Sequence, residues 1–171
     1  SSHRHSVKYE QSWYGYLKEN VRSYNNRYSH IWLPPPSKSV SPEGYLPIDL
    51  YDLNSEYGTK NELVELLDEL SECDIVSVCD IVINHRCAKY QDESKGTYNQ
   101  FGDSLPWDKS SITPNNLRWE GTGNCGTGEE YIPAPNIDHT QPNIRRDIID
   151  WLLYLKQLPI NIYYLILLIK S

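Results

Sequence analysis

An aliphatic run near the middle of the chain ends on two polar residues, Asn84 and His85. The run, IVSVCDIVINH at 75–85, is apolar on both faces, as expected for a strand that helices cover on both sides of a parallel sheet. In parallel α/β barrels the loops after the carboxyl ends of strands build the active site. The Asn84 amide oxygen suits calcium, and His85 can hydrogen-bond a hydroxyl-rich ligand. On spacing alone, the favoured interpretation is that both residues cap the strand and satisfy backbone groups.

Tyr45 is a further candidate for ligand contact, in a loop that follows an earlier strand-like run. Its ring could stack on a sugar and its hydroxyl could hydrogen-bond the same ligand. The chain contains 14 tyrosines, and a single loop tyrosine more often serves simple packing.

Composition excludes several classes of function. The formal net charge of −7 opposes nucleic-acid binding, which depends on clustered Lys and Arg. The most apolar stretch, 162–169, falls far short of the roughly 20 residues that cross a bilayer. The four cysteines form no C-x-x-C pair, which argues against zinc, and the Gly-rich run at 121–129 lacks the Lys-Ser/Thr ending of a P-loop.

Three segments, 12–24, 59–70 and 142–158, have the apolar spacing of amphipathic helices. In the second segment, Thr59 and Glu62 have the spacing of a capping box. The residues expected on the buried faces are Trp13, Tyr16, Leu17, Val21 and Tyr24 in the first segment, Leu63, Leu66, Leu67 and Leu70 in the second, and Ile144, Ile148, Trp151, Leu152 and Leu155 in the third.

Strand-like runs lie between these helices, at 29–36, 75–85 and 160–169. The alternation of helix and strand predicts βαβ units and a parallel sheet. From 86 to 135 the sequence is rich in Gly, Pro, Asn and Asp, and its apolar residues follow neither helical nor strand spacing over any long stretch. About fifty residues without regular spacing is long for a loop, so a small inserted subdomain is predicted.

Three motifs resemble plant α-amylases of glycoside hydrolase family 13. They are IWLPPPSKSVSPEGYLPIDLYDLNSEYGT, DIVINHR and APNIDHTQ, which stand in the order and at the separations found in the N-terminal part of that family. DIVINH matches the first sequence region of the family. The resemblance runs from about Trp13 to Gln157. Within it, the segments CGTGEE and PNIDH are closer in sequence to the intracellular plant branch.

The resemblance implies an α/β fold, a partial (β/α)8 TIM barrel with an irregular inserted domain after the third barrel strand. Residues 1–85 would supply barrel helix 1, strand 2, helix 2 and strand 3. Residues 86–135 would form the inserted domain, and 136–171 the third barrel helix and an atypical fourth strand. The implied activity is calcium-dependent, retaining endo-hydrolysis of α-1,4 bonds in starch.

The resemblance also assigns the polar residues. Tyr45 matches the tyrosine that packs on the sugar at the cleavage subsite, and His85 matches the histidine that hydrogen-bonds that sugar. Asn84 and Asn136 match calcium ligands, the second at a position where many relatives carry Asp. A further carboxylate ligand is missing near Gly126, so weak calcium binding is expected.

Two acidic residues, Glu129 and Glu130, could partly compensate for the missing carboxylate, because calcium accepts oxygen ligands in flexible geometry. Asp80 and Asp138 are interpreted as hydrogen-bonding residues, with Asp138 supporting His139 or the ion.

No catalytic residue of the family is expected in this chain. Retaining hydrolysis needs two carboxyl groups about 5 Å apart. The family's nucleophilic Asp ends the fourth strand, two residues after an Arg, whereas LPINIYYLILLIKS at 158–171 contains no Asp, Glu or Arg. The general acid and a third carboxylate lie on later strands. We therefore expect a truncated, inactive chain.

One alternative is a non-catalytic carbohydrate-binding or regulatory remnant that uses Tyr45, His85 and aromatic residues such as Trp107 and Trp119. An active enzyme assembled with another polypeptide ranks lower.

The expected partner is starch or a maltooligosaccharide, with neither nucleic acid nor membrane. Self-association is predicted through exposed strand edges and the apolar tail at 160–169, since a partial barrel leaves edges uncovered. SSHRHSVKYEQ at the start shows no targeting pattern. The resemblance to the intracellular plant branch favours cytoplasm or plastid. The chain contains no Met, which suggests an incomplete translation product.

Overall fold

The structure is a computed structural model that describes residues 11–126, 128–158, 160 and, for the backbone alone, 165–167. Its helices are α1 (Trp13–Tyr24), α2 (Lys60–Glu72) and α3 (Pro142–Lys156). Its strands are β1 (His30–Leu33), β2 (Lys38–Ser39), β3 (Pro47–Asp49), β4 (Val76–Ile81), β5 (Tyr90–Gln91), β6 (Tyr98–Gln100) and β7 (Leu165–Leu167). Short 3-10 turns lie at Lys109–Ser111 and Leu117–Trp119.

A parallel sheet of three strands, in the order β1-β4-β7, organises the described chain. Helix α2 lies between β1 and β4 in the chain, and α3 lies between β4 and β7. A parallel connection needs a crossover, and a helix is the usual one. The prediction of βαβ units and a parallel sheet is therefore confirmed.

Helix α2 begins as its sequence predicts. The Glu62 backbone N–H donates to Thr59 Oγ1 over 3.2 Å, and Glu62 Oε1 accepts from the Thr59 backbone N–H over 2.9 Å. This reciprocal pair is a capping box. The four leucines of its predicted inner face are all buried.

The predicted inner face of α1 is partly wrong. Tyr14, Leu17 and Val21 are buried, whereas Trp13 and Tyr16 are 39% and 56% exposed. The buried residues have i, i+3, i+7 spacing and join the cluster formed by the inner face of α2. The face that α2 offers therefore sets the rotation of α1, which the spacing within α1 alone left open.

Strand β4 ends at Ile81, earlier than the predicted end at residue 85. Beyond the strand, the Asn84 carbonyl accepts from the Ile137 backbone N–H over 3.0 Å, and the Arg86 N–H donates to the Pro135 carbonyl over 3.2 Å. The backbone of residues 84–86 is thus paired with residues 135–137 instead of with a parallel neighbour.

The segment 86–135 is irregular, as predicted. Strands β5 and β6 form an antiparallel pair, and no α-helix occurs in the part of this segment that the structure describes. Its apolar side chains Phe101, Trp107 and Ile112 belong to the same buried cluster as β4 and α3. The segment therefore packs onto the sheet unit.

Helix α3 ends at Lys156, two residues before the predicted end. Ile144, Ile148, Trp151 and Leu155 are buried as predicted, and Leu152 is half-buried. In the predicted tail strand, Leu165–Leu167 pairs with Cys79–Ile81 of β4. The tail residues 161–164 and 168–171 lie outside the described residues, as do residues 1–10. Among the described residues, no helix has the length and apolar content needed to cross a lipid bilayer.

Candidate functional site

His85 and Tyr45, the two predicted sugar contacts, lie against each other. His85 Nε2 is 2.7 Å from the Tyr45 carbonyl oxygen. A carbonyl can only accept, so Nε2 carries the proton and donates it. Tyr45 follows β1 and His85 follows β4, so both lie beyond the carboxyl ends of neighbouring parallel strands.

The two residues after His85 continue this contact. The Cys87 backbone N–H donates to the Pro47 carbonyl over 2.8 Å, and Arg86 Nε donates to the Ile48 carbonyl over 3.1 Å. Three consecutive residues, 85–87, therefore hold three carbonyls of residues 45–48. We call this arrangement the 85–87 clamp.

Asp80 holds the other end of Tyr45. The Tyr45 hydroxyl donates to Asp80 Oδ2 over 2.6 Å, and Asp80 is completely buried on β4. Burial, and the hydrogen bond to this carboxylate, raise the pKa of Tyr45 to about 12. Sequence reasoning gave Asp80 a hydrogen-bonding role but missed its partner. The only signal was a carboxylate inside an apolar run.

Asn84 and Asn136, the predicted calcium ligands, are also brought together. The backbones of His85 and Asn136 form an antiparallel bridge, and Asn84 Nδ2 lies 3.5 Å from Asn136 Oδ1. Asn136 Nδ2 donates to the Glu129 carbonyl over 3.0 Å. This arrangement gathers amide and carbonyl oxygens, which are the hard donors that calcium accepts.

The donor set carries little charge. Nowhere in the described residues do three or more His, Cys, Asp or Glu side chains gather in a way that could hold a metal ion. Glu129 meets Asn136 through its backbone, and Glu130 Oε1 accepts from the Arg118 backbone N–H over 3.2 Å. The oxygens gathered here are neutral donors of a kind that calcium accepts, whereas the Glu130 carboxylate accepts from the Arg118 backbone N–H.

Asp138 is completely buried and well satisfied. It accepts from the Asn124 backbone N–H over 2.6 Å and from the Thr140 hydroxyl and N–H over 2.6 and 3.0 Å. Burial opposes its charge, but these bonds and one from Gln141 lower its pKa to about 2. His139 Nε2 instead bonds the Ile83 carbonyl, at 2.7 Å. Asp138 thus makes no described hydrogen bond to His139, and its support of the ion stays a prediction.

Tyr131 is a neighbour of the site that sequence reasoning missed. Its ring packs on the His85 ring with centroids 4.4 Å apart and an interplanar angle of 33°. Trp107 is buried, with Nε1 donating to Asp147 Oδ2 over 2.8 Å, so its ring belongs to the core. Trp119 is half-buried. No local pattern distinguished Tyr131 from the other tyrosines.

A parallel sheet of βαβ units, with polar residues gathered beyond the carboxyl ends of β1 and β4, defines an α/β protein. The family profile described as "Alpha amylase, catalytic domain" matches residues 27–162. The chain therefore belongs to the α-amylase family.

Plant relatives show the same relationship. The chain is 45% identical over 130 residues to probable α-amylase 2 of Arabidopsis thaliana, across 75% of this chain and 30% of that protein. It is 40% identical over 146 residues to α-amylase 3, chloroplastic, of the same plant, across 85% of this chain and 16% of that protein. The chain thus spans less than a third of the length of either relative.

Solved structures share the fold. An α-amylase from Geobacillus thermoleovorans, complexed with acarbose, aligns with a TM-score of 0.62 and 19% identity, over 88% of this chain and 32% of that chain. An α-amylase from Malbranchea cinnamomea aligns with a TM-score of 0.61 and 23% identity, over 87% and 34%. The described sheet and helices correspond to part of a TIM barrel.

Proposed function

We propose that this chain carries the sugar-contacting and calcium-holding part of an α-amylase active site that acts on α-1,4-linked glucans such as starch. The observation that carries this proposal is the contact between Tyr45 and His85 beyond the carboxyl ends of β1 and β4. Membership of the α-amylase family, and relatives named α-amylases, support it.

In this proposal the Tyr45 ring packs on one glucose unit. Its hydroxyl is held by Asp80 and its carbonyl by His85, so the orientation of the ring is fixed before the sugar arrives. Preorganisation of this kind reduces the ordering cost of binding. A sugar hydroxyl then competes with the Tyr45 carbonyl for the Nε2 proton of His85.

Calcium, when bound, would be held by Asn84 and Asn136 through their amide oxygens, with the Glu129 carbonyl beside them. It would supply a positive charge that ties residues 84–86 to residues 135–137. The low charge of the donor set favours weak binding.

The 171-residue polypeptide is proposed to bind glucan without cleaving it. A retaining mechanism needs two carboxyl groups about 5 Å apart on either side of the scissile bond. Of the carboxylates near the site, Asp80 and Asp138 are completely buried and hydrogen-bonded within the protein. Neither is open to a sugar.

Titration with maltotriose, followed by tryptophan fluorescence, tests binding. We expect saturable binding that Tyr45→Ala and His85→Ala weaken at least tenfold. Tyr28→Ala is the control, because Tyr28 is 63% exposed and precedes β1, at the amino end of that strand and away from the carboxyl-end loops. No response at millimolar sugar would refute the binding role.

A reducing-end assay with soluble starch and calcium tests the absence of cleavage. We expect no product from the 171-residue polypeptide. Product formation that disappears in His85→Ala would show that these residues support hydrolysis.

For the compartment, we propose cytosol or plastid. One of the two plant relatives carries the word chloroplastic in its name, which supports the plastid. Imaging of the native gene product fused to a fluorescent protein in leaf cells distinguishes the two, and secretion would refute both.

A further inference from the structure

Arg86 directly follows His85 and is almost completely buried, with 1% of its surface exposed. No salt bridge includes it within the described residues. Its guanidinium instead donates to three backbone carbonyls, from Nε to Ile48 over 3.1 Å, from Nη1 to Leu105 over 2.7 Å and from Nη2 to Gly102 over 3.4 Å.

Two aromatic rings cover the same guanidinium. Its central carbon lies 5.0 Å from the centroid of the Phe101 ring and 5.1 Å from that of Trp107. Cation–π attraction is strongest where water is excluded, as it is here. Burial lowers the pKa of Arg86 to about 10, so the side chain still carries its charge at neutral pH.

The partners of Arg86 come from different parts of the fold. Ile48 belongs to β3, three residues after Tyr45, whereas Gly102 and Leu105 belong to the segment 86–135. Because Arg86 is the middle residue of the 85–87 clamp, its side chain joins the Tyr45 loop to that segment. A displacement of either part would break contacts of a buried charge, which is costly.

We propose that Arg86 is a positioning residue for sugar binding. It locks the segment 86–135 onto the loop that carries Tyr45, and thereby keeps the Tyr45 carbonyl within reach of His85 Nε2. This inference rests on the proposed sugar contacts of Tyr45 and His85. Lysine cannot replace arginine here, since only a planar fork can donate to three carbonyls and also lie over two rings.

Arg86→Lys in the 171-residue chain tests the proposal. We expect the Kd for maltotriose to rise about tenfold, as the loss of a charge-assisted hydrogen bond predicts. Hydrogen exchange at the Cys87 amide, which donates to Pro47, should become faster, and this readout is independent of sugar. Arg118→Lys is the matched control, because the Arg118 guanidinium lies 5.4 Å from the Trp119 ring on the exposed surface.

A second control separates positioning from general loss of stability. Ile144→Val removes one methyl from the same buried cluster without touching the guanidinium. It should lower Tm with little change in Kd. An Arg86→Lys protein with faster Cys87 exchange but an unchanged Kd would show a purely structural role and overturn the proposal.

Phe101→Leu covers the case in which Arg86→Lys does not fold. It removes one ring from the guanidinium and keeps the three hydrogen bonds, so a smaller rise in Kd is expected. Folded Phe101→Leu with faster Cys87 exchange and wild-type affinity would overturn the proposal. Absence of maltotriose binding by the wild type would refute the proposed function itself, whereas unchanged Cys87 exchange in Arg86→Lys would refute only the positioning role.

Discussion

The Tyr45 hydroxyl donates to the buried carboxylate of Asp80 over 2.6 Å, and this bond joins the loop between β2 and β3 to the interior of β4. The second carboxylate oxygen, Oδ1, is buried and has no hydrogen-bond partner among the described residues. Among the described residues, the Asp80 carboxylate therefore accepts a hydrogen bond only from the Tyr45 hydroxyl. Tyr45 is held from within the sheet.

Asp80→Asn should weaken sugar binding without changing the fold. The amide keeps the shape of the side chain but accepts a weaker bond from Tyr45, so we expect a loss of about 1 kcal/mol, or about fivefold in Kd. Maltotriose titration measures it. Asp147→Asn is the control, since Asp147 accepts from Trp107 Nε1 in the core. Equal losses in both variants would contradict a specific role for Asp80.

Asn136→Asp should make the protein depend on calcium. Asn136 is 3% exposed, and its Nδ2 donates to the Glu129 carbonyl. A carboxylate would place an acceptor against that carbonyl, costing about 1–3 kcal/mol without metal. It would also add the charge that calcium prefers. We expect a lower Tm than wild type in EDTA and a larger calcium-induced rise.

The matched control for this experiment is Asn20→Asp, because Asn20 makes an exposed bond from Nδ2 to the Tyr16 carbonyl on α1. It should show no added calcium response. A calcium response of Asn136→Asp no larger than that of the wild type would contradict the assignment of Asn136.

Asp138 should contribute to acid sensitivity. Its pKa falls from 3.8 to about 2 in the folded chain. A lowered carboxyl pKa stabilises the fold above the unfolded value, and this stability disappears as pH falls toward the folded value. Asp138→Asn should cost about 2 kcal/mol at pH 7 and reduce the pH dependence between about 4 and 2.

Chemical denaturation at several pH values measures this effect. Asp68→Asn, on the exposed side of α2, should keep the acid slope of the wild type. An Asp138→Asn protein whose unfolding free energy falls with acid as steeply as that of the wild type would contradict the assignment.

Self-association should proceed through β1. Within the described sheet β1 is an edge strand, and its Trp32 is 49% exposed. Exposed edges with apolar side chains pair with other chains, and a lysine on the edge opposes this pairing. Trp32→Lys should shift the chain toward monomer in size-exclusion chromatography.

Leu117→Lys is the control for the edge, because Leu117 is 80% exposed on a 3-10 turn outside the sheet. It should leave the oligomeric distribution unchanged. A wild-type chain that elutes as a monomer at all concentrations would refute edge pairing.

The sequence by itself determined the features that depend on neighbouring residues. Thr59 and Glu62 are three positions apart, and their side chains and backbone alone specify the start of α2. The continuous apolar character of β4 indicated a strand covered on both faces, because both of its faces are buried in a parallel sheet. The motifs around Tyr45, His85 and Asn136 were sufficient to indicate the family.

The tertiary structure alone decided the contacts between distant residues. His85 and Tyr45 are 40 positions apart, Asp80 and Tyr45 are 35 apart, and Asn84 and Asn136 are 52 apart. Such pairs form only after loops close and elements pack, and no local periodicity encodes which donor will meet which carbonyl. The rotation of α1 and the contacts of Arg86 were undetermined for the same reason, since both depend on surfaces that exist only in the folded chain.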